Sequence, residues 1–139
     1  MPSSYLEAVR QPGQTVNPLF AFLGIILVEA GPDRAVLDLP IKPEFFQGAA
    51  VVAGGIISAL ADEAMAHLVL ANLGPDKRTA TIEMAVRYFR PVRLSFPDRL
   101  RAEATLANLG RRIVSTEARV IAPENKVVAK ASGSFIVLE

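Results

Sequence analysis

The sequence predicts an α+β fold in which a curved antiparallel sheet wraps a long central helix. Three observations carry this expectation. Residues 53–72 form one helical stretch that is apolar nearly all round. Ile56, Ile57, Leu60, Met65, Leu68, Val69 and Leu70 point in every direction, the pattern of a helix buried on all sides. From residue 78 onward, apolar and polar residues alternate with period two, as in half-buried strands. Turn residues punctuate those strands, so antiparallel hairpins dominate over βαβ crossovers.

Residues 4–10 make a short amphipathic helix. Pro12, Gly13 and Pro18 then break the chain before an apolar helical turn at 18–23. Residues 24–29 and 34–41 read as strands joined by Gly31-Pro32-Asp33, which is good hairpin chemistry. Residues 42–47 are a loop, and the long helix that follows stops at Gly74-Pro75. In the strand 81–90, Ile82, Met84, Val86 and Tyr88 face one way, while Thr81, Glu83, Ala85 and Arg87 face the other. Pro91 ends that strand or marks a sheet edge. Residues 99–109 place Leu100, Ala102, Ala104 and Leu106 on one face and turn at Asn108-Leu109-Gly110. Two last strands, 112–121 and 127–138, flank a turn at Pro123-Glu124-Asn125. The expected order is two strands, one helix and a four-strand meander. A flat sheet covers only one side of the helix, so either the sheet curls round it or a second subunit covers the rest.

The 139 residues fit one domain, with 1–17 as an N-terminal extension. A hydrophobic share of 51% against 21% charged excludes intrinsic disorder. The chain has no Cys, which excludes disulfides, thiolate metal sites and cysteine nucleophiles and fits a reducing compartment. A net charge of +1 sets up no basic field for nucleic acid. Eleven of the fifteen basic residues are nevertheless Arg, the better bidentate partner for phosphate. Residues 1–14 lack the apolar stretch of a signal peptide. The uncharged run 49–61 is shorter than the roughly 20 residues of a membrane span. A cytoplasmic protein without metal or cofactor is the expectation.

Chemistry concentrates on the central helix. Gly54 and Gly55 stand at its start, where unpaired amides and the positive end of the helix dipole suit a carbonyl oxygen that gains charge. Glycine there lets a substrate approach the backbone closely, or simply allows tight helix–sheet packing. Asp62 lies two turns on, with Gly55, Ser58, Met65, Ala66 and Val69 on its face. A carboxylate in such surroundings serves as general base or nucleophile; alternatively it bonds Ser58 or a backbone group. Glu63 and His67, four residues apart, are a rival acid–base pair or a structural one. Gly54 and Asp62 are separated by about 12 Å of helix at ~1.5 Å per residue. One chain therefore hardly brings both to one carbonyl, whereas two antiparallel helices about a two-fold axis do. An active site of this kind is shared across a homodimer.

Gln47, Gly54-Gly55, the run Leu60-Ala61-Asp62-Glu63-Ala64 and the strand end Tyr88-Phe89-Arg90-Pro91 resemble the hotdog-fold acyl-CoA thioesterases. The likeness runs from about residue 19 to the C-terminus and is greatest to the PaaI-like and 4-hydroxybenzoyl-CoA thioesterase branch. The resemblance implies a hotdog fold, a homodimer or homotetramer, and an acyl-CoA substrate with an aryl or medium-chain acyl group. It implies that Gly54 donates its amide to the thioester carbonyl, with Gly55 beside it. Asp62 activates water or attacks the carbonyl, Gln47 orients the substrate or the water, and Thr81 holds water. Arg90, Arg111 and Arg112, at a strand end and a hairpin, fit the phosphates of coenzyme A. The sequence departs from the pattern at Ala53, where many relatives carry His, and this leaves open a non-catalytic acyl-CoA-binding protein. Phe45, Phe46, Met65, Leu68 and Val69 serve as an acyl pocket or as core.

Overall fold

The computed structural model describes residues 4–139; of the N-terminal extension expected over 1–17, residues 1–3 lie outside it. Two short helices open the chain, α1 (Ser4–Val9) and α2 (Pro18–Leu23). The second is a well-capped turn. Asn17 accepts from the Phe20 amide, Pro18 occupies the first position, and Gly24 closes it in the left-handed conformation that glycine tolerates. Strands β1 (Ile26–Ala30) and β2 (Arg34–Pro40) pair antiparallel. The long helix α3 (Gly54–Ala71) follows, then β3 (Arg78–Tyr88), β4 (Arg99–Leu109), β5 (Ile113–Ala122) and β6 (Lys126–Leu138). The six strands form one antiparallel sheet in the order β1-β2-β4-β5-β6-β3. This is the hotdog fold, a single long helix packed in the curve of an antiparallel sheet.

The expected four-strand meander is corrected. Only β4, β5 and β6 follow one another through hairpins; β3 pairs with β6 at the sheet edge and β4 with β2. Residues 89–98 cross between them and end in a turn closed from the Asp98 amide to the Ser95 carbonyl at 2.8 Å. The crossing segment docks on the way, since Val92 is buried and its carbonyl accepts from the Val52 amide. The hairpin after β4 also falls later than expected, closing from the Gly110 amide to the Ile113 carbonyl around Arg111 and Arg112.

Strand β3 carries a bulge between Thr81 and Glu83, so Ile82 has no partner on β6. A bulge shifts the alternation of faces beyond it. Thr81 and Tyr88, expected on opposite faces, accordingly both reach α3.

Helix α3 has three kinds of cover. The concave sheet takes Ile57, Leu60, Ala61, Ala64, Met65, Leu68 and Val69, all buried. The N-terminal segment takes a second side, with the Phe20 ring 4.7 Å from that of His67. A strip of small residues, Gly55, Ser58, Ala59, Asp62 and Ala66, stays open to partly open. The 18-residue helix has a mean hydropathy of 1.3, enough in length and composition for a membrane span; here that hydropathy is spent on packing against the sheet.

Candidate active site

The helix start is shaped by its neighbours. Residues 46–52 form a loop closed by the Phe46–Val52 bridge, and the Ala53 amide bonds the Phe45 carbonyl at 2.8 Å. Gln47 sits exposed in that loop. Its Oε1 accepts from the Ala49 amide and its own amide bonds Val51, so its side-chain oxygen is engaged and its Nε2 remains a donor. Ala53 is the N-cap and makes no side-chain capping bond. A Ser, Thr, Asn or Asp there would occupy a first-turn amide and stabilise the helix by about 1 kcal/mol. Ala53 forgoes that and leaves the helix-start amides at Gly54 and Gly55 to an outside acceptor.

The two glycines differ. Tyr88 lies over Gly54 and donates its hydroxyl to the Gly54 carbonyl at 2.8 Å. A Cβ at Gly54 would stand 3.3 Å from the Tyr88 ring, so close packing against β3 is one reason for glycine here. A Cβ at Gly55 would meet nothing within 4 Å. The missing side chain at Gly55 therefore leaves room outside the chain. In the sequence Tyr88 is a member of one strand face and of the strand end; its place over Gly54 depends on the sheet register and carries no local signal.

Asp62 is half-buried on the open strip of α3. Thr81 Oγ1 donates to its Oδ1 at 2.7 Å. The alternative partner, Ser58, is committed elsewhere and bonds the Gly55 carbonyl at 3.1 Å. Thr81, expected to hold water, thus reaches the carboxylate itself and fixes one of its oxygens.

Glu63 and His67 are not an acid–base pair. His67 Nδ1 donates to the backbone carbonyl of Glu63 at 2.7 Å, so Nε2 is the acceptor for the Tyr5 hydroxyl at 2.8 Å. Tyr5 in turn accepts from Asn17 Nδ2 at 2.8 Å. Burial pushes His67 down to about 4, keeping it neutral. Burial also pushes Glu63 up to about 7, and the Asp62 charge beside it adds to the rise, against a bond from Asn17. These groups tie the N-terminal segment to α3.

The arginines separate into groups. Arg111 and Arg112 line a cavity of about 470 Å³ together with Lys77, the end of β6 and Glu139, an exposed carboxylate 3.6 Å from Lys77. Lys77 is the cation that the sequence reading missed. Arg90 is exposed beyond the Tyr88 end of β3, so within one chain it does not join them. Arg99 and Arg101 belong to neither. They hold Asp38, 3% exposed, at 3.2 and 2.7 Å. Burial alone would raise the Asp38 carboxyl, but the bonds and charges of Arg101 and Arg99 outweigh it and hold it below its ordinary value. Of the expected pocket residues, Met65, Leu68 and Val69 are fully buried core. Among the described residues, no group of three or more His, Cys, Asp or Glu is arranged to hold a metal ion.

Comparison with known proteins gives the family. Residues 49–129 match the family model described as the thioesterase superfamily. A protein named "Putative esterase" from Archaeoglobus fulgidus is 30% identical over 132 residues, covering 95% of this chain and 82% of that protein. The structure of thioesterase HI1161 from Haemophilus influenzae superposes with a TM-score of 0.81 at 26% identity, over 89% of this chain and 85% of that one. A variant of the phenylacetic acid degradation protein PaaI from Thermus thermophilus superposes with a TM-score of 0.77 at 26% identity, over 86% and 98%.

Proposed function

The chain belongs to the thioesterase superfamily and is a hotdog-fold thioesterase, and from that premise we propose that it hydrolyses acyl-CoA thioesters at a site shared by two copies of the chain. The thioester carbonyl oxygen accepts from the Gly54 amide at the start of α3, with Gly55 leaving space for the reacting group. Water attacks the carbonyl carbon as Asp62 of the other copy takes its proton. Thr81 holds Oδ1, which leaves Oδ2 as the proton acceptor. Collapse of the tetrahedral intermediate expels the thiolate of coenzyme A and leaves the carboxylic acid. Gln47 Nε2 orients the acyl carbonyl or the incoming water. One backbone donor to an oxyanion contributes roughly 3 kcal/mol, so the carboxylate supplies much of the remaining acceleration.

The single observation behind the reading is the pairing of Thr81 with Asp62 on a helix face that the chain itself leaves uncovered. Two features support a dimer. Strand β3 is an edge strand of eleven residues with Ile82 52% exposed, an edge suited to pairing with a second copy. The open strip on α3 is made of small side chains, which allow two helices to approach. Antiparallel pairing of two β3 strands would also bring Arg90 of the second copy toward the Lys77, Arg111 and Arg112 cavity, gathering four cations for the phosphates of coenzyme A. The helix buried in the sheet and the Cys-free composition fit a soluble cytoplasmic enzyme.

The test is thiol release from a panel of aryl- and alkyl-CoA esters. Asp62→Asn is expected to abolish turnover while circular dichroism and oligomeric state stay unchanged. Near-wild-type turnover by that variant would refute the assignment.

A further inference from the structure

Beyond Asp62, the helix leads to a cavity that shares only Lys77 with the phosphate-binding cavity. It has a volume of about 510 Å³ and lies between Tyr5 of the N-terminal segment, Leu70 near the end of α3, and residues 74–79. We infer that this cavity receives the acyl group of the thioester and that Tyr5 and Leu70 set the size of group it accepts. The inference rests on the thioesterase reading above and adds its substrate selectivity.

Three observations carry it. The first is continuity. Ala66 and Leu70 follow Asp62 along one side of α3, turned from it by about 40° and 80° at 100° per residue. On the facing strand, Thr79 of the cavity wall and Thr81 of the carboxylate pair are two residues apart before the bulge, hence on one face and about 6.6 Å apart. A carbonyl carbon at Asp62 is therefore several carbons from the cavity, with only the methyl of Ala66 between them on the helix.

The second is polarity. The Tyr5 hydroxyl is engaged with His67 and Asn17, and the Thr79 hydroxyl donates to the Ile136 carbonyl at 2.9 Å. Lys77 is paired with Glu139 at 3.6 Å, and the other charged wall residues, Asp76 and Arg78, are exposed and keep their hydration. An apolar group entering here leaves those hydroxyls bonded, so it is desolvated at little polar cost. The amide-bearing pantetheine arm would gain less in such a place.

The third is rigidity. Tyr5 is held from two sides by its bonds to His67 and Asn17. The wall it forms is fixed before substrate arrives. It comes from outside the segment 49–129 shared with the family. A second cavity, about 410 Å³ at Phe22, Phe45 and Ile56, lies on another side of the helix; Ile56 is turned about 120° from Asp62.

The test is calorimetric binding of octanoyl-CoA and of free coenzyme A to the full chain carrying Asp62→Asn, which keeps the ester intact. Octanoyl-CoA is expected to bind at least tenfold more tightly than coenzyme A. Adding Leu70→Trp, which fills the cavity, is expected to erase that difference and leave the affinity for coenzyme A within twofold. Gly74→Leu is the second filling variant, because a Cβ there meets nothing within 4 Å and the fold tolerates it. The inference is overturned if octanoyl-CoA binds no more tightly than coenzyme A. It is equally overturned if both filling variants leave the octanoyl advantage intact, or weaken both ligands alike, which would place the pantetheine arm there. Tight, cavity-dependent octanoyl-CoA binding by a wild-type protein that releases no thiol would uphold the cavity and refute the hydrolysis.

Discussion

Thr81 Oγ1 donates a 2.7 Å hydrogen bond to Asp62 Oδ1, from a strand that a bulge has turned to face the helix. Without that bulge the hydroxyl would sit on the outer face of the sheet. The bond fixes the rotamer of the carboxylate and directs its second oxygen away from the strand. A charge-assisted bond of this kind contributes roughly 1.5–3 kcal/mol. Thr81→Val is therefore expected to lower kcat by about tenfold or more with little change in KM, while Thr81→Ser retains most of the activity. Steady-state thiol release on the two variants checks this.

The two glycines at the helix start predict opposite effects. Gly54→Ala presses a methyl group against Tyr88 and disturbs the Tyr88–Gly54 bond, so stability and activity fall together. Gly55→Ala meets open space and removes the entropy cost of glycine in a helix, a gain of about 0.5–1 kcal/mol. Its melting temperature is expected to rise while kcat/KM falls, because the methyl occupies the space left for the reacting group. Thermal melts paired with kinetics separate the two cases.

Asp38 is buried while Arg99 and Arg101 are about half exposed, so removing the carboxylate breaks its charge-assisted bonds but leaves both guanidinium groups in water. Asp38→Ala is expected to destabilise the fold by about 1–2 kcal/mol in urea unfolding. The native carboxyl is held below its unfolded value of 3.8. Its contribution is therefore complete above that value and is lost as pH falls through the lower folded value. The variant should accordingly lack that part of the wild-type loss of stability in strong acid.

Glu63 and His67 oppose each other in their effect on stability. Glu63 ionises at 4.5 unfolded and at about 7 folded, so it costs stability as pH rises through that window. His67 takes its proton at 6.5 unfolded and at about 4 folded, so it costs stability as pH falls through its own window. The wild type is expected to be nearly flat between pH 4.5 and 6.5 as far as these groups decide it. Glu63→Gln removes one side of the balance. Its stability should match the wild type near pH 4 and exceed it by about 3 kcal/mol above pH 7.5, read from urea unfolding at each pH.

The local elements were legible in the sequence because their signals are local. The apolar run of α3, the Gly31-Pro32-Asp33 hairpin and the alternation in β4 and β5 all appear where expected. The place of β3 was not legible, because pairing with β6 rather than β4 is a long-range choice that periodicity does not encode. Its bulge at Ile82 was invisible for the same reason, and with it the face on which Thr81 lies. Cover of α3 by Tyr5 and Phe20 was also missed, since the N-terminal segment carries no mark of where it docks. At the site, the spacing of Gly54 and Asp62 could be read from helix geometry alone. Arg111 and Arg112 were legible at their hairpin, but Lys77 joins them only through the end of β6.

Heterodimer complementation tests most directly whether the Gly54 amide and the Asp62 carboxylate act from different chains. Asp62→Asn and Gly54→Val are each expected to form an inactive homodimer. A purified heterodimer of the two keeps one site with an intact Gly54 from one chain and an intact Asp62 from the other. It should recover about half of the wild-type rate per dimer. A heterodimer as inactive as its parents would place both groups in one chain and contradict the account.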